Sequence, residues 1–476
     1  MADTEIPDVL ASRYASPRIV EIWSERGRIL LERRFWIAVM KAQRDAGIEI
    51  PDEAIAAYEG VCGKIDLESI RQREAKLRHD VKARIEEFCD LAGHEQIHKG
   101  LTSRDLTDNV EQFQIHESLH YIQIKYIALL RRLAVRAAEW RDLVVVGRTH
   151  NVPAQPTTMG KRLATSGAEM LHGLRRLQDL LSAYPLRGLQ GAVGTALDQL
   201  TLLDDSSEAL STLQRRVMEH LGFERELGAV GQVYPRSLDF EVVTCLVQLG
   251  AGVANLARTV RLMAGTEQAT EGFTSGQVGS SAMPHKMNTR SSERINGFQA
   301  ILGGFSSMAA SIAGDQWYEG DVSCSVVRRV ALPGSFFAID GMLETAWHVI
   351  DDMGVYPAVV RNELDRFMPF LATTTLLMES VRQGAGREAV HEAIKEHAVA
   401  AALALREQGG KANDLAQRLS ADQRLPLGAD EIESVIRDSE TLVGRAGEQV
   451  DQFCEDVARL VDAHPDAAQL KKSSLL

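Results

Sequence analysis

The chain has 476 residues, 45% of them apolar and 25% charged, which excludes a disordered or fibrous chain and allows roughly three domains. A net charge of −13 argues against nucleic acid as the main partner, and five scattered cysteines (Cys62, Cys89, Cys245, Cys324, Cys454) form neither a zinc pattern nor a disulfide framework. The N-terminal MADTEIPDVL has early acids and no apolar core, and the uncharged stretch 242–257 is too short and polar for a bilayer span, so no signal peptide, no membrane and a cytoplasmic location are expected.

In chain order, a small N-terminal domain is expected over residues 1–108, ending in the TSRDLTDN segment. A proline-free stretch from Pro51 to Pro153 follows or overlaps it, and proline excludes itself from helix interiors. Within that stretch Leu119, Ile122, Tyr126, Leu129, Leu133 and Arg136 repeat at helical spacing, one apolar stripe with a polar end. Further long helices are predicted over 159–183, 237–266, 291–313 and 326–353. The one strand-like run, 143–146, is short. The fold class is therefore all-α, with a central bundle over 109–356 and a C-terminal helical domain over 357–476.

Residues 274–288, TSGQVGSSAMPHKMN, separate two of these helices. Gly276 and Gly279 allow backbone shapes that other residues resist, and Ser280, Ser281, Lys286 and Asn288 supply hydroxyls, a cation and an amide. Read on its own, the segment is a surface loop in which Ser291 or Ser292 caps the next helix and Glu293 favours its first turn. Residues 147–162, GRTHNVPAQPTTMGKR, place His150 on a loop broken by two prolines, where a lone histidine is most often structural. Arg78, His79, Asp80, Thr102 and Ser103 likewise read as helix-end polar clusters.

Together these segments resemble the fumarase/aspartase superfamily, whose signature GSxxMPxKxN is matched by GSSAMPHKMN. The resemblance implies a three-domain fold with a long-helix bundle at the core of a homotetramer, whose active sites are shared between subunits. It implies Ser280 as general base on a loop that closes over substrate, with Lys286 and Asn288 stabilising the developing charge. It implies His150 as general acid, paired with Glu293. Thr102 and Ser103 are implied at the succinyl carboxylates, and Arg78, His79 and Asp80 at the phosphate and ribose.

Within the superfamily, ASRYASP and VGQVYPRSLDFEV are similar to segments of adenylosuccinate lyases. That similarity implies substrate contacts from Arg13, Tyr14, Gln232, Arg294, Ser325 and Arg329. The expected partners are a succinylated purine nucleotide and fumarate, with no metal or organic cofactor. Three positions depart from the pattern: Thr289 replaces a proline, Gly320 an arginine, and Pro235 interrupts a segment. Arg328 is the expected substitute cation for Gly320. Another fumarate-releasing lyase, such as argininosuccinate lyase, and a non-catalytic crystallin-like relative are the alternatives.

Overall fold

A computed structural model describes residues 7–272, 283, 285–407 and 413–473. Six helices open the chain: α1 (Val9–Arg13), α2 (Pro17–Trp23), α3 (Glu25–Asp45), α4 (Asp52–Val61), α5 (Leu67–Leu77) and α6 (Asp80–Ala92). The long α7 (Ser103–Glu139) leads into a hairpin, β1 (Val144–Thr149) and β2 (Val152–Thr158). Then come α8 (Met159–Ala183), α9 (Leu197–Leu202), α10 (Ser207–Leu221), α11 (Ser237–Gly265), β3 (Ala269–Thr270), α12 (Arg290–Ile312), α13 (Ser325–Asp352) and β4 (Gly354–Val355). The chain closes with α14 (Pro357–Leu371), α15 (Thr373–Arg382), α16 (Arg387–Glu407), α17 (Leu415–Ser420), α18 (Ala429–Arg437), α19 (Ala446–Ala463) and α20 (Asp466–Gln469).

The helices start where side chains can satisfy the free N–H groups of a first turn. Ser24, Asp66, Thr102, Thr158 and Ser206 each accept such an N–H at the start of α3, α5, α7, α8 and α10. The bundle is α7, α8, α11, α12 and α13, with α11 packed against α8, α12 and α13. The stripe Leu119, Ile122, Tyr126, Leu129 and Leu133 is buried within it. Helix α11 is long and apolar enough by length and composition to cross a membrane, yet 61% of that window is buried in the fold, as a core helix requires.

One continuous apolar core runs from Leu10 to Ala467, so the N-terminal helices share it with the bundle. A second core joins Leu376, Val390, Leu415, Leu419 and Ile432. Helix α19 returns to the bundle against α7 and α8, where Phe453 fills the space over Gly167; a Cβ there would sit 2.3 Å from its ring. We propose a division into 1–108, 109–356 and 357–476, with α7 running through the first boundary and α14 starting at the second.

The hairpin corrects two expectations. The strand-like run 143–146 extends to Thr149, and the proline-bearing stretch after His150 is its partner strand. Both prolines are tolerated because a two-stranded sheet has only edges, and the register shifts between Val146 and Arg148.

Candidate functional site

A cleft of about 640 Å³ lies where α3, α6, α7 and α13 meet, and Asp80, Ser103, Ser325 and Arg329 all line it. Ser103 and Ser325 are the first residues of α7 and α13, so two helix N-termini supply hydroxyls and positive dipole ends to one space. The α7 terminus is rigid. Thr102 and Asp105 form a reciprocal cap, the Thr102 N–H reaching Asp105 Oδ2 at 2.8 Å. The other Asp105 oxygen accepts from Arg187 Nη1 at 2.7 Å and from the N–H groups of Gln190 and Gly191 at 3.0 and 2.9 Å. Thr102 and Ser103 are thereby locked to the 187–191 segment through one buried carboxylate.

On the opposite wall Asp80 opens α6, and Arg84 Nη2 donates to it at 3.2 Å. Burial would raise the Asp80 carboxyl, but the Arg84 guanidinium and the Val81 N–H outweigh it and hold it below its usual range. Arg84 also pairs at 2.6 Å with Glu32, whose carboxyl burial pushes upward. Arg78, in a left-handed conformation at the end of α5, and His79, which caps α6 by accepting the Lys82 N–H at 3.2 Å, are exposed beside this wall.

Arg328 is not the substitute cation expected for Gly320. It is buried, with Nε 2.6 Å from Asp239 Oδ2, Nη1 2.5 Å from Glu111 Oε2 and Nη2 on the Tyr234 hydroxyl. All three of its nitrogens are committed to internal partners. Gly320 itself has no room for a side chain, since a Cβ would lie 2.9 Å from Gln232 Cβ, and the Gln232 N–H is held by the Glu319 carbonyl at 2.6 Å.

A second group forms around the N-terminal segment. The Arg294 guanidinium lies 5.3 Å above the Tyr14 ring, which also meets Phe298 edge-on. The segment is seated by α13: Asp340 Oδ2 accepts the Ser16 N–H at 2.5 Å, and a Cβ on Gly341 would lie 2.8 Å from Tyr14 Cβ. Asp340 is in turn paired with buried Lys125, which also meets Glu344, both at 2.5 Å. Arg13, at the end of α1, is exposed and makes no ion pair among the described residues.

A third group lies at the start of α12. Lys286 and Glu293 are exposed and Asn288 is half-buried. The cap of α12 is neither Ser291 nor Ser292 but the carboxylate of Glu271, which accepts both their N–H groups at 2.9 Å. Ser280, Ser281, Gly276 and Gly279 lie outside the described residues. His150 forms the two-residue turn of the hairpin with Asn151, both at positive φ (52° and 60°), a conformation His and Asn adopt more readily than most residues. It is exposed, and no described hydrogen bond or ion pair joins it to Glu293. A single chain therefore assembles the cleft and the Tyr14–Arg294 contact, with no described bond between His150 and Glu293.

Sequence reasoning missed Glu271, Asp105, Lys125 and Asp340. Two of them had a legible signal: Lys125 and Asp340 are single charges inside apolar runs, which a helix buries only with a partner.

A family model described as lyase matches residues 12–302, and one described as adenylosuccinate lyase C-terminus matches 369–453. The adenylosuccinate lyase of Saccharomyces cerevisiae is 34% identical over 451 residues, covering 94% of this chain and 93% of that protein. The chain belongs to the adenylosuccinate lyase family. Another member, from Schistosoma mansoni, is 31% identical and covers 98% of both chains. Like its family, the chain is a lyase with the all-α fumarase/aspartase-like fold. That fold is shared with a 3-carboxy-cis,cis-muconate lactonizing enzyme from Pseudomonas putida (TM-score 0.79, 22% identity, 96% of this chain and all of that one). A fumarate lyase from Mesorhizobium also shares it (TM-score 0.77, 21% identity, 93% of this chain and 98% of that one).

Proposed function

We propose that the chain catalyses anti β-elimination of fumarate from adenylosuccinate, giving AMP, and from succinylaminoimidazole carboxamide ribotide, giving the aminoimidazole carboxamide ribotide. The observation that carries this reading is similarity to adenylosuccinate lyases along essentially the whole chain, with matches to both the lyase and the adenylosuccinate lyase C-terminus family models. The cleft supports it, because helix N-termini, hydroxyls and Arg329 suit an anionic substrate.

In this reading Ser280 takes the proton from the carbon next to a succinyl carboxylate. The electron pair moves into that carboxylate, where Lys286, Asn288 and the Thr102–Ser103 turn stabilise it. The carbon–nitrogen bond then breaks, His150 protonates the departing nitrogen with Glu293 supporting it, and fumarate leaves. Arg13, Tyr14, Arg78, His79, Asp80, Gln232, Arg294, Ser325 and Arg329 hold the nucleotide. The working unit is a homotetramer in the cytoplasm, in which His150 of one subunit completes a site built on others. Exposed apolar residues on the bundle helices, among them Ile301, Val326 and Val330, support that assembly.

The test is fumarate release by the purified protein, with adenylosuccinate and argininosuccinate in parallel. Release from adenylosuccinate alone, abolished in Ser280→Ala, establishes the reaction; no release from a folded sample overturns it.

A further inference from the structure

The cleft is lined by arginines to which the family resemblance assigns no substrate contact, Arg104 among them. Most of its charged groups neutralise one another: Arg84 with Glu32 and Asp80, Arg328 with Glu111 and Asp239, and Glu25 with Arg71. Glu74 and Arg28 have no ion pair among the described residues and lie on the α3 and α5 side. At the α7–α13 end two arginines remain. Arg329 is exposed and pairs with nothing described, and Arg104 follows Ser103 in the first turn of α7.

Arg104 is only loosely held. Its Nη1 lies 3.4 Å from Asp108 Oδ1, and Nε and Nη2 donate to no described group. Asp108 does not depend on it, because the Tyr234 N–H and Arg236 Nη2 already donate to that buried carboxylate at 3.1 Å each. The contact therefore orients the guanidinium without using up its donor edge.

We propose that Arg104 binds substrate, gripping the nucleotide phosphate together with Arg329 and Ser325; this rests on the function proposed above. A guanidinium donates two parallel hydrogen bonds to phosphate oxygens, and the adjoining helix N-terminus favours the same charge. The proposal also accounts for Gly320. Gln232 closes the space for a side chain there, Arg328 is committed elsewhere, and Arg104 supplies the missing cation from the first turn of α7.

The experiment is calorimetric binding of AMP and of adenosine to the full chain, as wild type, Arg104→Gln and Arg104→Lys, with adenylosuccinate turnover alongside. Charged hydrogen bonds of this kind are each worth about 10- to 100-fold in affinity. AMP affinity should fall by that factor in Arg104→Gln and recover in part in Arg104→Lys, while adenosine affinity is unchanged. KM for adenylosuccinate should rise in step, with kcat within about twofold. Unchanged AMP affinity, or equal losses for AMP and adenosine, overturns the proposal. Selective AMP loss in a protein that releases no fumarate would overturn the proposed reaction and leave the phosphate role of Arg104 standing.

Discussion

Glu271 and Ser292 are joined twice, the Glu271 carboxylate accepting the Ser292 N–H at 2.9 Å and its hydroxyl at 3.1 Å. The two residues flank, in sequence, the stretch that contains the glycine- and serine-rich motif, and one buried carboxylate joins the chain before it to the start of α12. Glu271→Ala leaves two N–H groups of a first turn without their partner, at a cost of about 1–3 kcal/mol. Urea denaturation should show that loss, and kcat should fall more than KM rises, because the tie fixes the described chain on either side of Ser280 in sequence. An unchanged midpoint would mean that water replaces the cap.

His150 separates chemistry from folding. Its turn needs positive φ at 150, which asparagine adopts as readily as histidine, and the side chain is exposed. His150→Asn should hold stability within about 0.5 kcal/mol of wild type. Loss of a general acid should lower kcat by about 10²- to 10⁴-fold. A variant with wild-type kcat removes His150 from the proton-donating role.

Lys125 stands between two buried carboxylates, Asp340 and Glu344. Lys125→Met leaves both without their counter-ion, and breaking such a buried group costs about 3–5 kcal/mol. Because Asp340 also holds the Ser16 N–H, the variant should bind substrate more weakly through a displaced Tyr14. Denaturation and KM check the two parts separately.

His98 gives a pH dependence. Burial lowers its pKa to about 4 against the opposing pull of Asp105, and Trp36 Nε1–H donates to its Nδ1 at 3.1 Å, which requires that nitrogen to be unprotonated. Between the unfolded value near 6.5 and about 4 the unfolded chain binds the extra proton, so stability falls as pH falls through that window. Denaturation midpoints at pH 7 and pH 5 should differ in this direction, and His98→Asn should flatten the difference. An equal slope in the variant would assign the effect to other groups.

Gly320→Arg restores the residue type usual in the family, yet it should not improve binding. Its Cβ would press on Gln232 Cβ at 2.9 Å, and such overpacking costs about 1–3 kcal/mol. A lower KM for adenylosuccinate in this variant would show that Gln232 can yield.

The sequence alone determined the all-α class and the long helices: the stretch expected as 159–183 is α8 to the residue, and the ends of α11, α12 and α13 fall within one residue of expectation. Helix propensity, proline position and apolar spacing act between near neighbours, so they are written locally. The motifs were legible for the same reason, as contiguous runs. Tertiary structure alone decided that Asp80, Ser103, Ser325 and Arg329 share a cleft, that Arg328 is committed inward, and that the prolines after His150 lie in a strand. It also paired Lys125 with Asp340, 215 residues away. Which charge neutralises which depends on distance in the folded core, where an unpaired ion is costly, and no local pattern records that distance.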